Sequence, residues 1–137
     1  MGFELRDHTA DIEIVGSGDT IGTAFAGVGD GMAAAMCDEW PDAGERRSIL
    51  VTSEGVEALL FDYLDELIYR RDVENVLPVE NEATVNERDG TWELRGSFRG
   101  VPLQLIRARE IKAPTYADME IVEDGDGSWS ARAVLDV

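Results

Sequence analysis

Lysine is almost missing from this chain: Lys112 stands alone beside 11 arginines, while acidic residues number 29. Cysteine and histidine are equally scarce, with only Cys37 and His8. A lone cysteine cannot close an internal disulfide, and one cysteine with one histidine cannot build a Cys/His zinc cage. No apolar run approaches the roughly 20 residues that a membrane-spanning helix needs, and the N-terminus lacks the basic-then-apolar pattern of a signal peptide. The expected location is therefore cytoplasmic, with no membrane partner. There is no basic stripe either. At a net charge of −17 and a sequence pI near 4.2, phosphate backbones would repel the chain and counterion release would contribute little, which argues against direct, stable nucleic-acid binding. Any role in RNA metabolism is expected to pass through another protein.

What remains is enough to fold. Hydrophobic residues make up 44% of the 137 residues, which suits one ordinary domain spanning 1–137. The acids are spread along the whole chain. Carboxylates in place of surface ammonium groups fit adaptation to strong salt, where counterions screen self-repulsion, and so point to a halophilic source. The alternative is an acidic surface made for one basic partner. Charge alone identifies no ligand.

Hydrophobic periodicity predicts an α+β fold: a two-layer sandwich of two amphipathic helices packed on a largely antiparallel β-sheet of about seven strands. Residues from Phe3 to Val15 read as extended chain, followed by a Gly16-Ser17-Gly18 turn. Asp19 or Thr20 then caps a helix over about 20–37, along which Ile21, Ala24, Phe25, Val28, Met32 and Met36 recur at helical spacing. The Gly27-Val28-Gly29-Asp30-Gly31 run lies inside this helix without the Lys-Ser/Thr ending of a phosphate loop, so close packing explains it better. Ser48 to Thr52 reads as a short strand. The firmest element is a second helix, in which Val56, Leu59, Leu60, Tyr63, Leu64, Leu67 and Ile68 form a broad apolar stripe. Beyond Arg71 the signals are β: Thr84 to Glu87, an Asp89-Gly90 turn, Trp92 to Phe98, an Arg99-Gly100 turn, and Met119 to Val122 facing Trp129 to Val137 across Asp124-Gly125-Asp126-Gly127.

Chemistry concentrates at the two ends of the sequence. Asp136 followed by the last residue, Val137, presents a side-chain carboxylate and a terminal carboxylate side by side. With Asp11 from a neighbouring strand, three hard oxygen ligands would converge, a set suited to a divalent cation such as Ca²⁺, or to Mg²⁺ or Mn²⁺. Clustered carboxylates repel one another unless a cation neutralises them. The plainer alternative is that Asp11 bonds a turn and the last residues form a solvated strand end. Other sites have less behind them. His8 with Asp11 would be half an acid/base pair without a nucleophile, and Cys37 ends an apolar helix face where packing explains it. Asp124-Gly-Asp-Gly lacks the glutamate of a calcium loop and reads as a hairpin turn. Lys112 and Thr115 would either contact phosphate or a partner, or simply lie on a strand.

Taken together, His8-Thr9-Ala10-Asp11-Ile12, Leu59-Leu60 through Leu64-Asp65-Glu66-Leu67-Ile68-Tyr69, Ile111-Lys112-Ala113 with Thr115-Tyr116, and Leu135-Asp136-Val137 resemble the archease family in the family's order. The pattern departs at Pro114 and Ala117, where the family has an aliphatic residue and a histidine, so no role is carried onto Ala117. The resemblance implies a divalent cation, often calcium, bound by Asp11, Asp136 and Val137. It also implies that the protein is not itself an enzyme: it would be an accessory to the GTP-dependent tRNA-splicing RNA ligase, promoting guanylylation of the ligase's histidine and repeated turnover. The absence of a nucleotide-binding motif agrees with that. A metal-dependent hydrolase using the same carboxylates and a general acidic chaperone are the other function classes open to this sequence.

Overall fold

The computed structural model describes residues 11–137. Strand β1 (Asp11–Gly18) leads into helix α1 (Ile21–Met36), then β2 (Glu45–Ser53), α2 (Val56–Glu74), β3 (Val76–Arg88) and β4 (Thr91–Pro102). A short 3-10 turn at Leu103–Leu105 precedes the last pair, β5 (Ala113–Glu123) and β6 (Trp129–Asp136). The β-strands form two three-stranded antiparallel sheets, ordered β1-β6-β5 and β2-β4-β3. The α+β class with two helices is as expected, but two sheets replace the single one. Each helix packs on strands of both: α1 on β1, β6 and β3, and α2 on β5, β2, β3 and β4. Alternating apolar residues identify strands without saying which edges will pair, and that choice is made by helices that fill the space between.

Local sequence explains the helix ends. Thr20 is the N-cap of α1, its hydroxyl accepting from the Thr23 N–H (3.1 Å) while the Thr20 N–H donates to Thr23 Oγ1 (3.0 Å). This reciprocal pair satisfies two otherwise unpaired N–H groups. At the far end of α2, Asn75 adopts the left-handed conformation (φ 57°), which Asn tolerates well, and turns the chain into β3. The α2 stripe Leu59, Leu60, Tyr63, Leu64 and Leu67 is fully buried, forming one core with Phe25, Met32, Leu77, Leu94, Phe98 and Leu135.

Three expectations are corrected. Gly16 to Gly18 are not a turn but the end of β1, paired with Ala131 to Trp129 of β6. Gly16 is there because α1 crosses so close that a Cβ would lie 2.3 Å from the Ala24 carbonyl oxygen. Arg99-Gly100 is likewise no turn: β4 runs through it as the central strand, with Arg99 opposite Arg46 of β2 and Val79 of β3. The last hairpin starts earlier than Met119, since β5 opens at Ala113 and contains an irregular stretch between Thr115 and Glu120 that blurs its alternation. The glycines of α1 do serve packing, and a Cβ on Gly31 would meet Ile14 at 2.5 Å. The extended segment expected from Phe3 lies outside the described residues up to Asp11.

Candidate metal centre

Strand alternation sets the site. On β1, Ile12 and Ile14 face the interior while Asp11 and Glu13 face outward. On β6, Ala131, Ala133 and Leu135 are buried, which turns Arg132, Val134 and Asp136 to the other face. The antiparallel register then places Asp11 directly opposite Asp136. Facing residues in such a pair have Cβ atoms about 4.5–5.5 Å apart and share one face of the sheet. The pairing of β1 with β6 thus brings two carboxylates together. Val137 follows, its side chain packed against the core, which holds the main chain at the end of β6.

Among the described residues the electrostatics are unbalanced. Like charges directly opposite in a ladder destabilise it unless neutralised. The basic residue of β6, Arg132, approaches Glu13 instead (3.7 Å). Among the described residues, neither Asp11 nor Asp136 forms an ion pair with Arg or Lys. Nor do those residues hold a group of three or more His, Cys, Asp or Glu side chains able to bind a metal. The described donors are thus two facing carboxylates, with Val137 next in the chain after Asp136. That hard-oxygen set fits a Ca²⁺- or Mg²⁺-type cation whose remaining positions are filled by water.

The other candidates resolve differently. Lys112 is next to the site through its backbone, its N–H donating to the Asp136 carbonyl (2.8 Å). Thr115 spends its hydroxyl on the Val134 carbonyl (3.0 Å) within the sheet. Buried Cys37 ends α1, with its thiol donating to the Glu39 carbonyl (2.9 Å), a packing role. The Asp124 to Gly127 segment is a turn, closed by Ser128, whose hydroxyl and N–H donate to the Asp126 carboxylate (2.6 and 3.0 Å) and hold it below the usual aspartate range. His8 lies outside the described residues.

One polar network escaped the sequence reading. The Tyr63 hydroxyl donates to Asn81 Oδ1 (3.2 Å), and the Asn81 backbone and side-chain N–H groups both donate to Asp30 Oδ1 (2.8 and 2.9 Å). Burial, with Asp30 adding its charge, pushes the Tyr63 phenol far up. The network joins α1 and α2 to the irregularity in β3, where Glu80 takes a positive φ of 49°. A tyrosine in an otherwise aliphatic stripe was the available signal, because a buried hydroxyl needs a partner.

A model of the Archease protein family (MTH1598/TM1083) matches residues 3–137. The chain belongs to the archease family. An archease of Pyrococcus furiosus is 35% identical over 98% of both chains, and one of Methanothermobacter thermautotrophicus is 34% identical over 99% of both. Among solved structures, protein 1598 of Methanobacterium thermoautotrophicum superposes with a TM-score of 0.80 at 33% identity, covering 96% of each chain. A Thermotoga maritima protein, described as an archease and possible chaperone, gives 0.66 at 21% identity over 100% of this chain and 98% of its own, a likeness of archease fold. Among the described residues no helix is long and apolar enough to cross a membrane.

Proposed function

We propose that this archease is a non-enzymatic activator of the GTP-dependent tRNA-splicing RNA ligase, promoting ligase guanylylation and multiple turnover in exon joining. The observation that carries the reading is the facing pair Asp11 and Asp136, which has no basic partner among the described residues. These two carboxylates, with Val137, would hold a divalent cation, most naturally Ca²⁺, which when bound would neutralise the pair and offer a hard positive centre. The chain's own part is to keep Asp11 and Asp136 in register and within reach of another protein. Its charge of −17 favours a protein partner over direct, stable contact with RNA. A cytoplasmic location is part of the same proposal.

Two mechanisms share these residues. In one, Asp11 and Asp136 act on the ligase's own metal and nucleotide site; in the other, they only tie the two ends of the chain together. Multiple-turnover ligation of split tRNA by the cognate ligase at high salt, with substoichiometric archease, tests the function. More turnovers per ligase are expected, and Asp11→Ala should remove the gain. A folded Asp11→Ala that stimulates fully would leave only the structural role for the pair, and no gain with wild-type protein and active ligase would sink the proposal.

A further inference from the structure

Helix α2 carries an outward face that the core does not explain. Phe61, Asp65, Tyr69 and Val73 follow one another at four-residue steps, away from the buried Leu60, Leu64 and Leu67 stripe. Tyr69 and Val73 are each 57% exposed. At the N-terminal half of the helix, Tyr116 from the irregular stretch of β5 stacks on Phe61 (centroids 4.3 Å apart, planes 6° from parallel) and is itself 56% exposed. From Phe61 to Val73 the face runs about 18 Å along the helix. Large exposed apolar groups gathered on one helix face mark a place that another molecule covers.

The charges around this face specify the occupant. Both arginines of α2 turn away from it: Arg70 lies over the Phe98 ring (5.1 Å) and bonds the Ser48 carbonyl (3.0 Å), while buried Arg71 reaches the Ile111 carbonyl (3.1 Å). Asp72 is satisfied by Arg71 (2.9 Å). Asp65, between Phe61 and Tyr69, and Asp118, two residues beyond Tyr116, form no ion pair among the described residues. The face is therefore apolar, with negative charge at Asp65 and Asp118 that no ion pair among the described residues compensates. It is complementary to an apolar recess bordered by arginine or lysine, the helix-in-groove mode of recognition. We propose that the outward face of α2, with Tyr116, is the surface by which this archease docks on its protein partner, a groove with an apolar floor and a basic rim. That the partner is the RNA ligase rests on the function proposed above. The docking face and the Asp11–Asp136 pair are then different sets of residues joined through β5, whose Ala113 pairs with Asp136.

The experiment measures binding of fluorescently labelled archease to the cognate ligase, together with ligation turnover, for wild type, Tyr69→Ser/Val73→Ser and Asp65→Lys. Circular dichroism and Ca²⁺ titration verify that each variant keeps its fold and its cation affinity. The double variant should weaken ligase binding at least ~10-fold, since each apolar side chain lost from a buried contact removes about that factor. Asp65→Lys should weaken it at low salt and converge on wild type as salt rises, because screening removes the charge effect and leaves the apolar one. Wild-type stimulation of turnover with unchanged binding by the double variant would overturn the docking surface while sparing the function. Wild-type binding without stimulation, lost in the double variant, would support docking and overturn the function. Neither binding nor stimulation would overturn both. Sedimentation showing a wild-type dimer abolished by Tyr69→Ser/Val73→Ser would assign the face to a second copy of this chain and overturn the proposal.

Discussion

Glu74 sits between the guanidinium groups of Arg70 and Arg47 and bonds both. The Arg70 bond first, then that of Arg47, holds its carboxyl below the ordinary glutamate range, with partial burial opposing. A carboxyl depressed in the folded state stabilises it fully above the unfolded value, near pH 4.3, and ceases to as pH falls through the folded value. Glu74→Gln should therefore lower stability at pH 7 by up to ~1 kcal/mol and flatten the decline of Tm below about pH 4, measured by thermal unfolding across pH. Tyr63 is a different case, because nothing can replace its partner. Tyr63→Phe keeps the ring but leaves Asn81 Oδ1 without its buried donor, and should cost about 1–3 kcal/mol in urea unfolding. An unchanged midpoint would show that the network is not a constraint on the β3 irregularity.

At the scale of elements, α2 and α1 were legible for the same reason. Leu59, Leu60, Tyr63, Leu64 and Leu67 satisfy helical spacing within a few turns, and Thr20 announces the start of α1 through its own backbone bonds. Strand ends were less legible. Gly16 to Gly18 carry turn residues yet continue β1, since what demands a glycine is the Ala24 carbonyl of a helix that only the folded chain brings near. Gly16→Val should accordingly separate β1 from α1 and cost about 3 kcal/mol, read as a lower urea midpoint. Arg99-Gly100 failed similarly: Arg99 stays in β4 because Glu80, Asp42 and the carbonyls of Pro41 and Ala43 gather round it, and none of these is a sequence neighbour.

For the whole molecule, β6 is the strand that brings the ends of the sequence together, pairing with β1 on one side and β5 on the other. The facing Asp11 and Asp136 should therefore link cation binding to global stability. With divalent ions chelated, Asp136→Asn removes one of two opposed charges and should leave stability unchanged or raise it by up to ~1 kcal/mol. In wild-type protein, Ca²⁺ at one hundred times its Kd should add about 2.7 kcal/mol, and that increment should vanish in Asp136→Asn. Differential scanning calorimetry with and without Ca²⁺ separates the two effects. A full Ca²⁺ increment in the variant would exclude Asp136 as a ligand.

The sequence by itself determined the local matters: which segments bury a face, that α1 starts at Asp19 or Thr20, and that Asp11 and Ile12 point apart. Those properties depend on residues within a turn or two of each other. Tertiary structure decided that the strands divide into two sheets, that Asp11 faces Asp136 while Arg132 goes to Glu13, and that Tyr69 and Val73 remain uncovered. Each of these follows from which distant segments share an edge or a face. Register and burial are long-range outcomes of packing, and no short-range pattern encodes them.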